Sequence, residues 1–254
     1  MKTKQRRQDI LRVLEKNKRL RILDTAQEMG VSTMTVRRDL QRLAEQGIVT
    51  LVHGGAVYNE GTVAMPTVAA REKKMRQEKN TMAAYCASLI KEGNAVYLDA
   101  GSTAKAIAEL LVERSNIAVL THSLSVMNIL AAARQLQLIS VPGIYKPENR
   151  GFFGDMTQRF IREFQLDIVF FGACAVNGEG MMSPDFTDLA VKQALVEHAH
   201  KRVLVVDHTK IGSVSLVKVC DLHQLDMIVT DGLADPEFIQ RAKRMGLEVV
   251  QTGC

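Results

Sequence analysis

Two stretches of this 254-residue chain place chemically useful side chains at short, regular spacing. One is Thr33-Met34-Thr35-Val36-Arg37-Arg38. On a helix it puts two guanidiniums and several small polar groups on the first turns, the set that hydrogen-bonds base edges and phosphate oxygens. The other is Asp99-Ala100-Gly101-Ser102-Thr103, which follows the apolar run 95–98 and opens a helical pattern. Glycine and hydroxyl residues at a helix N-terminus converge N–H groups on an anion, and the helix dipole adds positive potential.

The ends of other apolar runs carry similar residues: Thr121-His122-Ser123, Pro142-Gly143, Gly172-Ala173-Cys174, Asp207-His208-Thr209-Lys210 with Gly212, and Asp231. If these runs are parallel strands, their carboxyl ends form one rim, where open sheets bind ligands. Such a rim suits a polar, anionic ligand. Ser102, Thr103, Thr121 and Ser123 are the expected phosphate contacts, Gly101, Gly143 and Gly172 line the effector rim with them, and Lys192 or Lys210 is the source of charge. Asp99 and Asp207 would accept from sugar hydroxyls, with a helix cap or a structural hydrogen bond as the equal alternative. His122 and His208 read as ordinary loop histidines, and Cys174 as packing. No nucleophile elbow, P-loop or Gly-x-Gly-x-x-Gly occurs. The rim shows no paired carboxylates and no base with an obvious activating partner. The four cysteines lie far apart, so no metal-knuckle spacing exists. Neither a metal, a cofactor nor a catalytic residue is expected.

The elements that must position these groups follow from periodicity. Val36, Leu40 and Leu43 make an apolar helical stripe. Ser32 can cap that helix and Gly47 can end it. An isolated amphipathic helix would read as a solvated face. Here a short helix with Leu23, Ala26 and Met29 inward precedes it across Gly30-Val31-Ser32, which is the helix-turn-helix pattern. A first helix over 5–16, with Ile10, Leu11 and Leu14 inward, comes before both, and Lys16, Lys18, Arg19 and Arg21 suit phosphate contacts. Behind the second helix, residues 48–52 and 56–58 read as a hairpin wing turned by His53, Gly54 and Gly55. Asp39 should not face DNA; it reads as a buttress for Arg42 or a residue of the first helix.

From about residue 81, apolar runs at 95–98, 117–120, 136–141, 168–171, 203–206 and 227–230 alternate with helical patterns, and 248–250 adds a last run. Continuous apolar strands between helices predict a parallel sheet covered on both faces. The expected organisation is a winged helix-turn-helix over 1–58, a linker over 59–80 and a doubly wound α/β domain over 81–254.

Charge agrees with this division. Residues 1–57 hold 12 Lys+Arg and 6 Asp+Glu; the other residues hold 21 and 22 of the chain's 33 and 28. The excess positive charge therefore sits on the helix-turn-helix, as expected for phosphate binding. Hydrophobic residues make up 46%, enough for a real core. No apolar run approaches the roughly 20 residues of a membrane span, and no signal core follows the basic start. A cytoplasmic protein with free thiols is expected.

On Val31-Ser-Thr-Met-Thr-Val-Arg-Arg-Asp-Leu40 with Leu43 and Gly47, His53-Gly-Gly-Ala56, Asp99-Ala-Gly-Ser-Thr103, Asp207-His-Thr-Lys210 with Gly212, and Thr230-Asp231, the chain resembles the DeoR/GlpR-type bacterial repressors of sugar-utilisation operons, over nearly its whole length. The resemblance implies a winged helix on double-stranded operator DNA, with Thr33, Met34, Thr35, Arg37, Arg38, His53, Gly54 and Gly55 at the DNA. It also implies a catalytically silent sensor similar to ribose-5-phosphate isomerase that binds a phosphorylated sugar. Two departures are Leu51, where the family carries a basic residue, and Pro142, where it carries glycine. Paired half-sites imply a dimer or tetramer. The competing readings are a sugar-phosphate isomerase-like enzyme with an appended DNA-binding domain, and an activator or architectural protein without a ligand.

Overall fold

The structure is a computed structural model that describes residues 3–45, 49–58 and 68–253. Its N-terminal unit, residues 1–71, runs α1 (Thr3–Asn17), β1 (Arg19–Arg21), α2 (Ile22–Glu28), α3 (Thr33–Glu45), β2 (Val49–Val52) and β3 (Gly55–Tyr58). Gly47, the expected stop of α3, and Ile48, the expected start of the wing, lie outside the described residues, as do 59–67 of the expected linker.

Ser32 starts α3 as its chemistry requires: its Oγ accepts from Thr35 N at 3.2 Å. Val36, Leu40 and Leu43 are buried against Ile10 and Leu14 of α1 in one core with Leu20, Ile22, Ala26, Val49 and Ala56. Leu23, expected inward, is 66% exposed. The reason is that α2 starts at Ile22 directly after β1, so its inward stripe is Ile22, Thr25 and Ala26. Strand β3 lies between β1 and β2, all antiparallel. His53 and Gly54 make the turn, with Gly54 at φ 73°.

Residues 68–80, read as linker, are largely helical: α4 (Val68–Lys73) and the start of α5 (Arg76–Ser88). The second unit, residues 72–254, continues with β4 (Ala95–Leu98), α6 (Ser102–Glu109), β5 (Ala118–Thr121), α7 (Leu124–Leu130), β6 (Gln137–Ser140), the hairpin β7 (Ile144–Lys146) and β8 (Gly151–Phe153), and α8 (Asp155–Arg162). Then come β9 (Leu166–Phe171), β10 (Ala175–Asn177), β11 (Gly180–Ser183), α9 (Phe186–His198), β12 (Ala199–Val205), β13 (Val217–Cys220), β14 (Met227–Asp231), α10 (Pro236–Arg244) and β15 (Glu248–Thr252).

The seven expected apolar runs form one seven-stranded sheet in the order β15-β14-β12-β9-β4-β5-β6. Every pairing in it is parallel. Strand side chains alternate between two cores. Tyr97, Val169, Phe171, Leu204 and Ile228 pack with Ile161 of α8, Leu195 of α9 and Phe238 of α10. Val96, Leu98, Ile168, Phe170, Val203 and Val229 pack with Met82 of α5, Ile107 of α6 and Val126 of α7. Burial on both faces is why the inner strands are largely apolar, whereas the edge strands β6 and β15 carry exposed Gln137, Ser140, Glu248 and Gln251. The chain winds from β4 to β5 and β6, then returns to the other side of β4 with β9. The topological switch point therefore lies between β4 and β9, with Asp99 and Gly172 just beyond it. The sequence reading did not anticipate the β7–β8 hairpin or the small sheet β10-β11-β13.

Asp39 is the chief electrostatic tie of the first unit. It is buried, and its oxygens lie 2.6 Å from Arg6 Nε and 3.1 Å from Arg7 Nε of α1. Asp39→Ala strands those guanidiniums, and breaking such a buried pair costs about 3 kcal/mol. Calorimetric melting of the full chain should show the N-terminal transition move down while the C-terminal one stays. Unchanged N-terminal melting would contradict this role.

Candidate effector site and nucleic-acid interface

The switch point holds a closed group of buried polar side chains. Asp99 leaves β4 and is pinned at once: Oδ1 accepts from Ala100 N at 2.8 Å, and Oδ2 from Gly172 N at 3.0 Å across the switch. Lys192 of α9 reaches in, with Nζ 2.7 Å from Asp188 Oδ2 and 3.5 Å from Asp99 Oδ2. Ser183 Oγ donates to Asp188 Oδ2 at 2.6 Å. Behind Asp99, Tyr97 Oη and His122 Nδ1 are 2.7 Å apart. The His122 ring packs edge-on to Phe153, and its Nε2 is buried 3.7 Å from Asp99 Oδ1 without a hydrogen-bond partner.

Burial alone would lower the Lys192 pKa. The Asp188 and Asp99 charges outweigh it and hold the ammonium above its ordinary value. Burial likewise pushes Asp188 up, but the charge and hydrogen bond of Lys192, with the Ser183 bond, hold it below the usual carboxylate value. For His122 burial dominates; the Asp99 and Asp188 charges oppose it, yet the imidazole stays below its ordinary value. Burial and Asp99 push the Tyr97 phenol well above its ordinary value. The group thus holds a fixed ammonium between two carboxylates, over a neutral imidazole and phenol.

The expected rim residues fall into three sets. Asp99, Gly172 and Lys192 come together directly. Gly101, at φ 142°, and Ser102 open α6 beside them, with Thr103 partly buried in its first turn. Asp207 and Lys210 lie one strand further along the rim, at the end of β12. Here the alternative reading of Asp207 holds: its Oδ1 accepts from the backbone and hydroxyl of Thr209 as the cap of a short 3-10 turn. Thr121, Ser123 and Gly143 are engaged within the chain itself. Thr121 Oγ1 donates to Leu98 O at 2.7 Å and accepts from Ser123 N at 3.0 Å. Ser123 Oγ caps α7 on Val126 N. A Cβ on Gly143 would collide with Thr157 Oγ1 and the Phe153 backbone, so its role is close packing.

Sequence reasoning missed Asp188, Tyr97, His122 and Ser183, and the absence of paired carboxylates is corrected by Asp99 and Asp188. A signal existed: Asp188 and Lys192 are four apart on a helix, the spacing of facing ion pairs. His208 Nδ1 and backbone N lie 2.9 and 2.8 Å from the buried carboxylate of Asp231. Cys174 Sγ sits 3.1 Å from Met182 O and from Ser215 Oγ.

In the first unit, Thr33, Met34, Arg37 and Arg38 are exposed on α3 and Thr35 is partly buried. His53 and Gly54 are exposed at the wing tip. Gly55 differs: it is buried, and a Cβ there would meet the Leu20 carbonyl oxygen. The close β1–β3 approach explains this glycine without a phosphate.

A winged helix-turn-helix on the same chain as a doubly wound unit defines a DNA-binding transcription regulator. Residues 6–62 match the DeoR-like helix-turn-helix domain and residues 74–232 the DeoR C terminal sensor domain. The chain belongs to the DeoR family. It is 31% identical to an uncharacterized HTH-type transcriptional regulator of Haemophilus influenzae, covering 96% of each chain. It is 30% identical to the glycerol-3-phosphate regulon repressor of Escherichia coli, covering 91% of this chain and 92% of that one. Among solved structures it is similar to a ribose 5-phosphate isomerase A of Methanocaldococcus jannaschii, at 18% identity and TM-score 0.40 over 54% of this chain and 55% of that one. Among the described residues no helix is long and apolar enough to cross a membrane.

The depressed pKa of His122 makes the second unit acid-sensitive. Its ordinary value is 6.5. Below that value the unfolded chain takes up a proton that the folded site resists, so stability falls by up to about 1.4 kcal/mol per pH unit. Asp188, also depressed, adds a loss once pH falls below its ordinary 3.8. Melting profiles between neutrality and pH 5 should slope less for His122→Gln than for the wild-type chain. Equal slopes would contradict the buried neutral imidazole.

Proposed function

We propose that this chain represses a carbohydrate-utilisation operon, and that a phosphorylated sugar at the strand-end rim releases it from operator DNA. The observation that carries this reading is Lys192, fixed between Asp99 and Asp188 at the switch point, next to Gly101 and Ser102 at the start of α6. Gly101, Ser102 and Thr103 would receive the phosphate. Asp99, Gly172, Lys192 and Lys210 would face the polyol. The relative named for glycerol 3-phosphate supports a phosphorylated effector. Exposed Arg37 and Arg38, with Thr33, Met34 and Thr35, would read base edges, while His53 and Gly54 would approach the backbone. Two-fold operators favour a dimer or tetramer, acting in the cytoplasm.

The two carboxylates around Lys192 also favour an enzymatic reading, a sugar-phosphate isomerase-like activity. The pairing argues against it. Lys192 is held charged, Asp188 is committed to it and to Ser183, and a general base must be free to take a proton. We therefore expect binding without turnover. Robust turnover of any sugar phosphate, lost in Asp99→Asn, would overturn that expectation.

Replacing Arg37 or Arg38 by alanine should cost about 1–3 kcal/mol of operator binding where the side chain reads a base. The remaining affinity should fall steeply with salt. Gel shifts of the double variant test this; normal operator binding would sink the assignment. Ser102→Ala should leave operator binding intact and abolish release by the sugar phosphate that acts on wild type. A response equal to wild type would place the pocket elsewhere.

A further inference from the structure

A carboxylate of this chain stands between two cations near the start of α6. One turn into α6 from Ser102, Lys105 Nζ lies 3.3 Å from Glu72 Oε2 and 4.0 Å from Glu109 Oε1. The other Glu72 oxygen, Oε1, is buried with no hydrogen-bond partner. It lies 3.7 Å from Arg150 Nη1. Arg150 sits in the turn between β7 and β8, and its carbonyl accepts from Leu124 N at the start of α7. Glu72, Ser102 and Lys105 line a pocket of about 230 Å³ together with Arg76, Lys79 and Asn80. The Lys79 ammonium is turned onto the Lys74 carbonyl.

Glu72 is poorly rewarded for standing there. A buried carboxylate oxygen loses hydration, and cations beyond 3 Å give little in return at a partly wet site. A phosphate monoester carries up to about two negative charges and three acceptor oxygens, so it is the stronger partner for both cations.

We propose that Glu72 is a built-in competitor: the effector's phosphate and the Glu72 carboxylate exchange on Lys105 and Arg150. This rests on the phosphorylated-effector reading given above. It adds two cations to the site and gives the site its output. Glu72 belongs to α4 (Val68–Lys73) and is the first residue past the division between the two units. Exchange therefore releases α4 from α6 and from the β7–β8 turn at the point where the chain passes from one unit to the other. An effector shifts such an equilibrium only through its different affinity for the docked and displaced states. The competition for Lys105 supplies that difference.

The test uses the full chain, with Glu72→Gln to remove the competing charge at constant volume and Lys105→Gln to remove the shared cation. Inorganic phosphate is titrated calorimetrically, and operator affinity is followed by fluorescence anisotropy with and without a panel of phosphorylated sugars. Glu72→Gln should bind phosphate about fivefold or more tightly than wild type and operator correspondingly more weakly. Lys105→Gln should bind phosphate more weakly. If wild type is released by a sugar phosphate but Glu72→Gln matches it in phosphate and operator affinity, the exchange is wrong and the effector reading stands. If neither phosphate nor any of the sugars binds wild type or Glu72→Gln, both are wrong.

Discussion

An ammonium buried to 5% exposure between two buried carboxylates is the interaction the second unit is built on. Lys192 and its partners come from separate parts of the chain: Asp99 after β4, Gly172 after β9, Ser183 on β11 and Asp188 on α9. Removing Lys192 leaves two buried carboxylates uncompensated, at a cost of about 3–5 kcal/mol. The strand ends on either side of the switch point are therefore held as a set. At the proposed site a ligand would meet groups already in position, and its binding would lose less to ordering.

The first unit uses the same device for another end. Asp39 lies on the helix that carries Arg37 and Arg38, yet it is buried and tied to Arg6 and Arg7 of α1. Consuming two basic side chains to fix α3 leaves its neighbouring arginines exposed and separately available. The acid in the middle of a basic helix thus sets that helix's orientation and is shielded from the phosphates it would repel.

Much of this was legible in the sequence. Seven apolar runs marked the seven strands, because burial on both faces makes the inner strands largely apolar, and even the edge strands β6 and β15 keep a short apolar stretch. Asp39 was read as a buttress for Arg42 or a residue of the first helix, and its partners are Arg6 and Arg7 of α1. Asp99 and Gly101 were singled out because several polar or glycine-rich strand ends share one rim, while Lys192, inside α9, was offered only as a source of charge. The missed residues lie where one-dimensional pattern is silent. Tyr97 and His122 sit in or beside apolar strands, and their pairing depends on the parallel register of β4 and β5. Thr121 and Ser123 looked like ligand contacts because a hydroxyl that satisfies its own backbone has the same sequence signature as one that faces a pocket. Gly55 was read as serving a tight turn at the wing and Gly143 as an effector contact, whereas at each another backbone or side chain occupies the space of its Cβ.

The central claim is that the switch-point site and the DNA-reading helix are coupled. Thermodynamic linkage makes this testable by a single measurement: effector affinity in the presence and absence of saturating operator. The account predicts that operator weakens the binding of the active sugar phosphate by the same factor by which that sugar phosphate weakens operator binding, within about 5- to 150-fold. Equal effector affinity with and without operator would contradict it.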